Sequence, residues 1–320
     1  MVNVVLEFEK PVMELEAKVR ELENLSASND IDVTDEIAVL TKKLEATKKK
    51  VYHNLTAWER VQLARHPNRP YTLDYIEEIF TDYLQLHGDR RYGEDAAIVG
   101  GFAKIDDQKI MVIGTQKGRN IKENVYRNFG CPHPEGYRKA LRLMKLADAS
   151  NVPIITFIDT PGAYPGIASE ERHIGEAIAV NLRDMFDISV PIISIVLGEG
   201  GSGGALGIGV GNKILVMEHA YYSVITPEGC AAILWKDRAF SPKAAESLRL
   251  TSTELKELGI IDEIVPEPVG GAHNHFEEAA QFLKKTIKKN IKDLSKLSSE
   301  KLKEQRYQKY RHIGKFSEEK

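Results

Sequence analysis

Gly198-Glu199-Gly200-Gly201-Ser202-Gly203-Gly204-Ala205-Leu206 is the stretch on which the reading of this chain turns. Five of its first seven residues are glycine. Before it, the β-branched run Ile192–Leu197 predicts a buried strand; after it, Gly203–Val210 predicts a helix. Glycines at such a turn permit unusual backbone angles and the close approach of another molecule. A strand that turns into a helix also points its first N–H groups outward, as donors for an anion or a developing oxyanion. Several templates match. Gly198-x-Gly200-x-x-Gly203 fits a dinucleotide fingerprint, with Glu218 about 20 residues on. Gly200-x-Ser202-x-Gly204 fits a nucleophile elbow, with Asp262 and His273 later in the right order. A backbone oxyanion hole needs no nucleophile at all, and a tight helix–strand turn needs no chemistry.

A second loop, Asp159-Thr160-Pro161-Gly162-Ala163-Tyr164-Pro165-Gly166, follows the expected strand Ile154–Ile158. Its two Pro-Gly corners make it rigid, at the end of a strand where α/β sheets place ligands. Glu170 and Glu171 then open an expected helix, Glu170–Phe186, where acidic groups suit the dipole. A third element, Thr226-Pro227-Glu228-Gly229-Cys230, follows an expected strand Ser223–Ile225.

Outward from these loops, residues 67–273 hold almost all the glycine and alternate apolar strands with helical patterns. Further strands are expected at Ile98–Ile105, Lys109–Gly114 and Lys213–Met217. Further helices are expected at Leu73–Leu86, Glu135–Ala149, Cys230–Leu234 and Pro242–Leu250. That alternation predicts a layered α/β domain. Residues 1–66 contain no glycine and read as a charged helical hairpin broken near Ser26–Asp32, either a solvated appendage or an assembly arm. Residues 274–320 read as charged C-terminal helices, with Leu283, Ile287, Ile291 and Leu294 striped beneath lysines. Interleaved acids favour a solvated face on a packed helix over a nucleic-acid or membrane surface.

Composition closes off other classes. At 42% apolar and 28% charged residues the chain is an ordinary globular protein, not a disordered one. Its net charge of −3 suggests neither nucleic acid nor an anionic membrane as partner. Apolar runs such as Val152–Ile158 are far short of the roughly 20 residues that span a bilayer, so no membrane insertion is expected. The opening MVNVVLEFEK has no basic leader or long apolar core, so no secretory signal is expected. Two cysteines, Cys131 and Cys230, exclude a disulfide framework or a Cys-rich zinc site within the chain. Both are expected as packing residues, and a reducing, cytoplasmic location is expected.

Taken together, the motifs resemble the alpha subunits of bacterial acetyl-coenzyme A carboxylase carboxyltransferases. The resemblance is carried by both glycine loops, by Arg127-Asn128-Phe129-Gly130, by Pro134-Glu135-Gly136-Tyr137-Arg138-Lys139-Ala140-Leu141-Arg142-Leu143-Met144, by Ser223–Cys230 and by Gly270-Gly271-Ala272-His273. Phe8-Glu9-Lys10-Pro11 and Arg69-Pro70-Tyr71-Thr72-Leu73-Asp74-Tyr75 add to it. It runs from about residue 6 into the C-terminal tail. One departure stands out. After Glu170-Glu171-Arg172 the family often continues Gly-Gln-Ser-Glu, where this chain has His173-Ile174-Gly175-Glu176.

The resemblance implies a crotonase-like (ClpP/crotonase) fold of repeated ββα units. It implies transfer of a carboxyl group from carboxybiotin, tethered to a biotin carboxyl carrier protein, to acetyl-CoA, giving malonyl-CoA for fatty acid synthesis. A separate biotin carboxylase component would charge the biotin. A beta subunit carrying zinc would complete the site in an assembly of two alpha and two beta chains. The backbone N–H groups of Gly203 and Gly204 would then form the oxyanion hole for the biotin ureido oxygen. Gly162, Ala163, Tyr164, Pro165, Gly166, Gly200, Gly201 and Arg172 would shape the substrate site. For Arg172, pairing with a nearby glutamate is an equal expectation. Ser202 and His273 would be structural. The basic loop of Lys117, Arg119 and Lys122 would meet a CoA phosphate or, more simply, solvent.

Overall fold

The computed structural model describes residues 4–29 and 33–314. Two long helices come first, α1 (Lys10–Asn29) and α2 (Thr34–His53), then two short ones, α3 (Ala57–Ala64) and α4 (Thr72–Ile79). The strands are β1 (Thr81–Gln85), β2 (Ile98–Ile105), β3 (Gln108–Thr115), β4 (Ile154–Thr160), β5 (Ile192–Gly201), β6 (Lys213–Met217), β7 (Tyr221–Ser223) and β8 (Glu263–Val265). Between them lie α5 (Ile121–Tyr126), α6 (Pro134–Ala149), α7 (Ile167–Glu171), α8 (Ile174–Met185), α9 (Ser202–Leu206), α10 (Pro227–Leu234), α11 (Ser241–Leu248) and α12 (Ser252–Glu257). The helices α13 (Phe276–Leu294) and α14 (Ser299–Arg311) follow the last strand.

The strands form one mixed sheet in the order β1-β2-β3-β4-β5-β6-β8, with β7 pairing on β5. β1, β2 and β3 pair antiparallel; the other pairings are parallel. Every residue of β4 and β5 is buried, as expected of central parallel strands covered on both faces. β5 is long enough to serve two neighbours: Ile193–Val196 pairs with β6, and Glu199–Gly201 pairs with β7. Because β4 and β5 are adjacent and parallel, with Thr160 opposite Gly200, both glycine loops emerge side by side at one edge.

Several expectations change here. Leu73–Leu86 is not one helix: the chain leaves α4 at Phe80 in an extended conformation, and Thr81–Gln85 pairs with β2. Asp82, at φ +53°, cannot continue the helix, and the free edge of β2 offers the next residues strand pairing instead. Glu170–Phe186 splits into α7 and α8 at His173, whose φ is +65°. The helix expected over Gly203–Val210 stops at Leu206. The strand expected at Ser223–Ile225 lies two residues earlier, and Thr226 caps α10 by accepting the Gly229 N–H. The three-residue strand β8 was not expected; it is too short for a period-2 pattern to declare itself.

The regions at the two ends behave differently. α1 and α2 bury Val12, Val19 and Leu44 mainly against each other, while Asp30–Asp32 of the expected break lie outside the described residues. α3, inside the region expected as an arm, packs Val61 and Ala64 against Tyr221, Ala245 and Leu250 of the glycine-rich domain. The stripe Leu283, Ile287, Ile291 and Leu294 of α13 is part of the main core, which places its lysines on the outer face. Arg306 of α14 is fully buried and donates to the carbonyls of Met185, Ile188 and Val190 and to Asn212 Oδ1. No helix among the described residues is long and apolar enough to cross a membrane.

Candidate active site

The second glycine loop is a strand–turn–helix. Ser202, exposed at the bend, takes φ +50°, a conformation L-residues avoid. The four glycines around it are not alike. A Cβ on Gly201 would lie 2.1 Å from the Pro161 carbonyl oxygen, and one on Gly204 2.4 Å from the Gly162 carbonyl carbon. A Cβ on Gly200 would meet the Tyr222 ring at 2.8 Å. Gly203 meets nothing nearer than Ile178, at 3.7 Å, and is half-buried. So Gly200 and Gly201, expected as substrate contacts, are buried within β5, and their lack of a side chain admits the neighbouring backbone and Tyr222. Gly203 instead opens onto an apolar cavity of about 300 Å³, shared with Ser202, Leu206, Tyr222, Val224 and Ile313.

α9 is held from behind. The Tyr137 hydroxyl donates to the Gly204 carbonyl (3.1 Å), and Asn181 Nδ2 donates to the Gly207 carbonyl (2.8 Å). Both residues are fully buried, so α9 is held at its middle and at its C-cap by side chains already locked by packing. In the first loop, Gly162, Ala163, Tyr164 and Gly166 are half-buried and Pro165 is exposed. Tyr164 stacks on His133 with ring centroids 4.2 Å apart, and its N–H donates to the Pro132 carbonyl. Arg172 lies just beyond the loop. It forms a two-pronged bond to Glu135 (2.9 and 3.1 Å) and sits 4.6 Å over the Tyr92 ring.

Beneath both loops runs a buried ionic network. Lys117 Nζ donates to Asp159 Oδ1 (2.7 Å) and to Glu199 Oε2 (2.6 Å). Glu199 Oε1 accepts from Arg65 Nε and from the Tyr221 hydroxyl, both at 2.7 Å. Arg65 continues to Glu228 at 2.5 Å. Burial pushes the Glu199 carboxyl up, but the charges of Lys117 and Arg65 outweigh it and bring it down to about 2. Lys117 is therefore neither a solvent-facing nor a phosphate-facing cation, as its loop suggested. Arg119 beside it pairs with Asp74 and stacks 3.9 Å over Tyr71. Nothing in the sequence flags this network, because its members lie 42 and 82 positions apart.

The geometry weighs against side-chain catalysts at the loop. A hydrolase triad fails. Asp262 accepts from Lys309 and the Ile214 N–H, and His273 bonds Glu9 (3.0 Å). Neither contacts Ser202. An acid–base role for Glu199 fails as well, since a group titrating near 2 is a poor proton shuttle at neutrality. Cys230 is buried, and burial pushes the half-buried Cys131 thiol up to about 11, far from a reactive thiolate. Glu9, His66 and His273 place possible ligand atoms within 4.8 Å of one another, but His66 already uses both nitrogens, toward the Val4 carbonyl and the Asn68 N–H. With Tyr52, whose hydroxyl donates to Glu9 (2.6 Å), they tie the α1–α2 hairpin to the Gly270–His273 turn. What remains at the loop is backbone, with Ser202 and Gly203 lining an apolar cavity and Gly204 buried behind them.

Residues 5–314 match the model of the acetyl co-enzyme A carboxylase carboxyltransferase-like family. The chain belongs to that family. It is 56% identical to the acetyl-coenzyme A carboxylase carboxyl transferase subunit alpha of Geobacter metallireducens, over 98% of each chain. It is also 56% identical to the same subunit of a Geobacillus species, over 98% of this chain and 96% of that one. Among solved structures it is similar to transcarboxylase 12S with methylmalonyl-coenzyme A bound, at TM-score 0.52 and 20% identity, over 65% of this chain and 40% of that one. The beta subunit of P. aeruginosa geranyl-CoA carboxylase gives TM-score 0.54 at 16% identity, over 77% and 46%. These likenesses speak to the fold, and it is the crotonase-like α/β fold that the resemblance implied. The family's chemistry is carboxyl transfer, and a carboxyltransferase needs no nucleophilic side chain where the backbone can hold the developing charge.

Proposed function

We propose that this chain is one half of an acetyl-CoA carboxylase carboxyltransferase. It receives carboxybiotin on a carrier protein charged by a biotin carboxylase component. With a zinc-bearing beta subunit it passes the carboxyl group to acetyl-CoA, giving malonyl-CoA. The observation that carries the reading is the strand–turn–helix at Gly201–Leu206: a short helix held by Tyr137 and Asn181, with Gly203 opening onto an apolar cavity.

The N–H groups of Gly203 and Gly204 are the donors to the ureido oxygen as the carboxyl leaves. Their place at a helix start adds the helix's partial positive charge. The freed biotin nitrogen accepts the methyl proton of acetyl-CoA, so no side-chain base is required from this chain. The enolate is the partner's to stabilise. In this reading the loop Gly162–Gly166, on whose Gly162 the Gly204 backbone packs, forms a neighbouring wall of the substrate site, with Arg172 paired to Glu135 just beyond it. An assembly of two alpha and two beta chains fits a site split between subunits.

The test is malonyl-CoA decarboxylation with biotin as acceptor, measured on this chain alone, with a beta subunit, and with Gly203→Pro. Proline removes one N–H at a first-turn position where a helix tolerates it. Turnover only with the partner, reduced about 10²- to 10³-fold by Gly203→Pro, is the expected result. Equal turnover without the partner, or an unimpaired variant, would sink the reading.

A further inference from the structure

We propose that Lys117 is the positioning residue of this site: its ammonium, clamped between Asp159 and Glu199, sets the spacing of the two glycine loops. The inference rests on the oxyanion reading above and extends it to a residue that touches no substrate.

Asp159 opens the first loop and Glu199 lies in the second. Lys117 bonds both, at 2.7 and 2.6 Å, from the segment that follows β3. Asp159 Oδ1 also accepts the Glu199 N–H (2.9 Å), so one carboxylate oxygen joins the two loops directly and through the lysine. All three side chains are nearly removed from solvent, with 12%, 2% and 8% exposed. Screening is weak there, and each charge depends on the others. The backbone is shaped around the clamp. Gly130, at φ +75°, would place a Cβ 2.7 Å from Lys117 Cγ, and Gly198 would place one 2.8 Å from Asp159 Oδ1. Side chains at either position would displace a member. Through Glu199 the clamp reaches Arg65 and Tyr221, and through Arg65 it reaches Glu228 of the third loop element. Three loops leaving three strands are thus referenced to one buried cation.

Such a clamp matters to catalysis because donors must meet the place where charge develops, and a misplacement of about 1 Å can cost about 10²-fold in rate. The experiment uses the full chain assembled with a beta subunit. Lys117→Met keeps the unbranched stem under Gly130 and removes the charge. Because that strands two carboxylates, a second variant, Lys117→Met/Glu199→Gln, restores the charge balance. We expect Lys117→Met to lower kcat about 10²-fold with KM for the acyl-CoA unchanged. The balanced variant recovers Tm but not kcat. Amide hydrogen exchange at residues 159–166 and 198–206 rises in both variants. If kcat recovers together with Tm, the clamp serves stability alone and the proposal is overturned. Unchanged exchange in both loops overturns it too. That readout is independent of turnover, so an inactive wild-type complex would refute the half-site reading while the exchange data still judge the clamp.

Discussion

The two glycine loops leave adjacent parallel strands, yet their glycines answer to different needs. In the second loop Gly201 and Gly204 are pressed against backbone, with the Pro161 carbonyl oxygen and the Gly162 carbonyl carbon only 2.1 and 2.4 Å from where a Cβ would sit. Backbone cannot swing aside as a side chain can. In the first loop Gly166 meets only the ring edge of the half-buried Tyr164, at 2.9 Å. The second loop is thus packed on the Thr160–Ala163 backbone of the first, and only the Gly166 end of the first loop meets a side chain alone. On the proposed reading the Gly203 and Gly204 N–H groups would be fixed donors, whereas the Gly166 end of the first loop has room to adjust.

The largest expected effect breaks the comparison if it is absent. Gly201→Ala or Gly204→Ala must push β5 or α9 off the first loop, at a cost of about 3 kcal/mol or more in stability. Gly166→Ala needs only a small shift of Tyr164 and is expected to cost less than about 1 kcal/mol. Chemical denaturation of the three variants side by side checks this. Equal losses would mean that both loops are equally rigid.

Acid sharpens the same contrast. The second loop is anchored by Glu199, held at about 2 because Lys117 and Arg65 outweigh the penalty of burial. Glu267 is held at about 2 in the same way, burial being outweighed by Arg69 and His219. Both groups bind a proton less readily folded than unfolded, from an ordinary value of 4.5. Their stabilisation is therefore complete above about pH 5 and is lost as the pH falls toward 2, by a few kcal/mol. In Glu199→Gln the slope of stability against pH between 5 and 2 becomes shallower. An unchanged slope would show that Glu199 does not anchor the loop.

Much of this was legible in the sequence, for reasons that also explain the rest. The runs Ile154–Ile158 and Ile192–Leu197 are apolar on both faces because β4 and β5 are covered on both faces, so strands and loops announced themselves. The resemblance singles out Gly203 and Gly204 as a pair but not their difference, since a sequence does not tell which glycine faces backbone and which faces space. Thr81–Gln85 reads as helix in the sequence because its partner β2 is a non-local fact. Lys117 read as a surface cation for the same reason. Its two carboxylates are brought to it only by the pairing of β3, β4 and β5. Arg172 was balanced between a substrate and a glutamate, and the structure gives it Glu135.

The smallest expected effect lies where the chain departs from its family. His173 stands where the family often has glycine, and it keeps the backbone a glycine would suit, at φ +65° between α7 and α8. Its side chain is exposed, while its N–H and carbonyl serve the turn, bonding Glu170 and Ala177. A non-glycine residue in that region carries about 1 kcal/mol of strain, partly offset by the greater freedom glycine has when unfolded. His173→Gly is therefore expected to stabilise the protein by roughly 0.5 kcal/mol, raising Tm by about 1 °C. His173→Ala, which keeps a Cβ, should gain nothing. If alanine stabilises as much as glycine, the effect belongs to the imidazole and not to the backbone. If neither does, the break between α7 and α8 tolerates histidine as readily as the family's glycine, and the first loop's flank is as permissive as the loop itself.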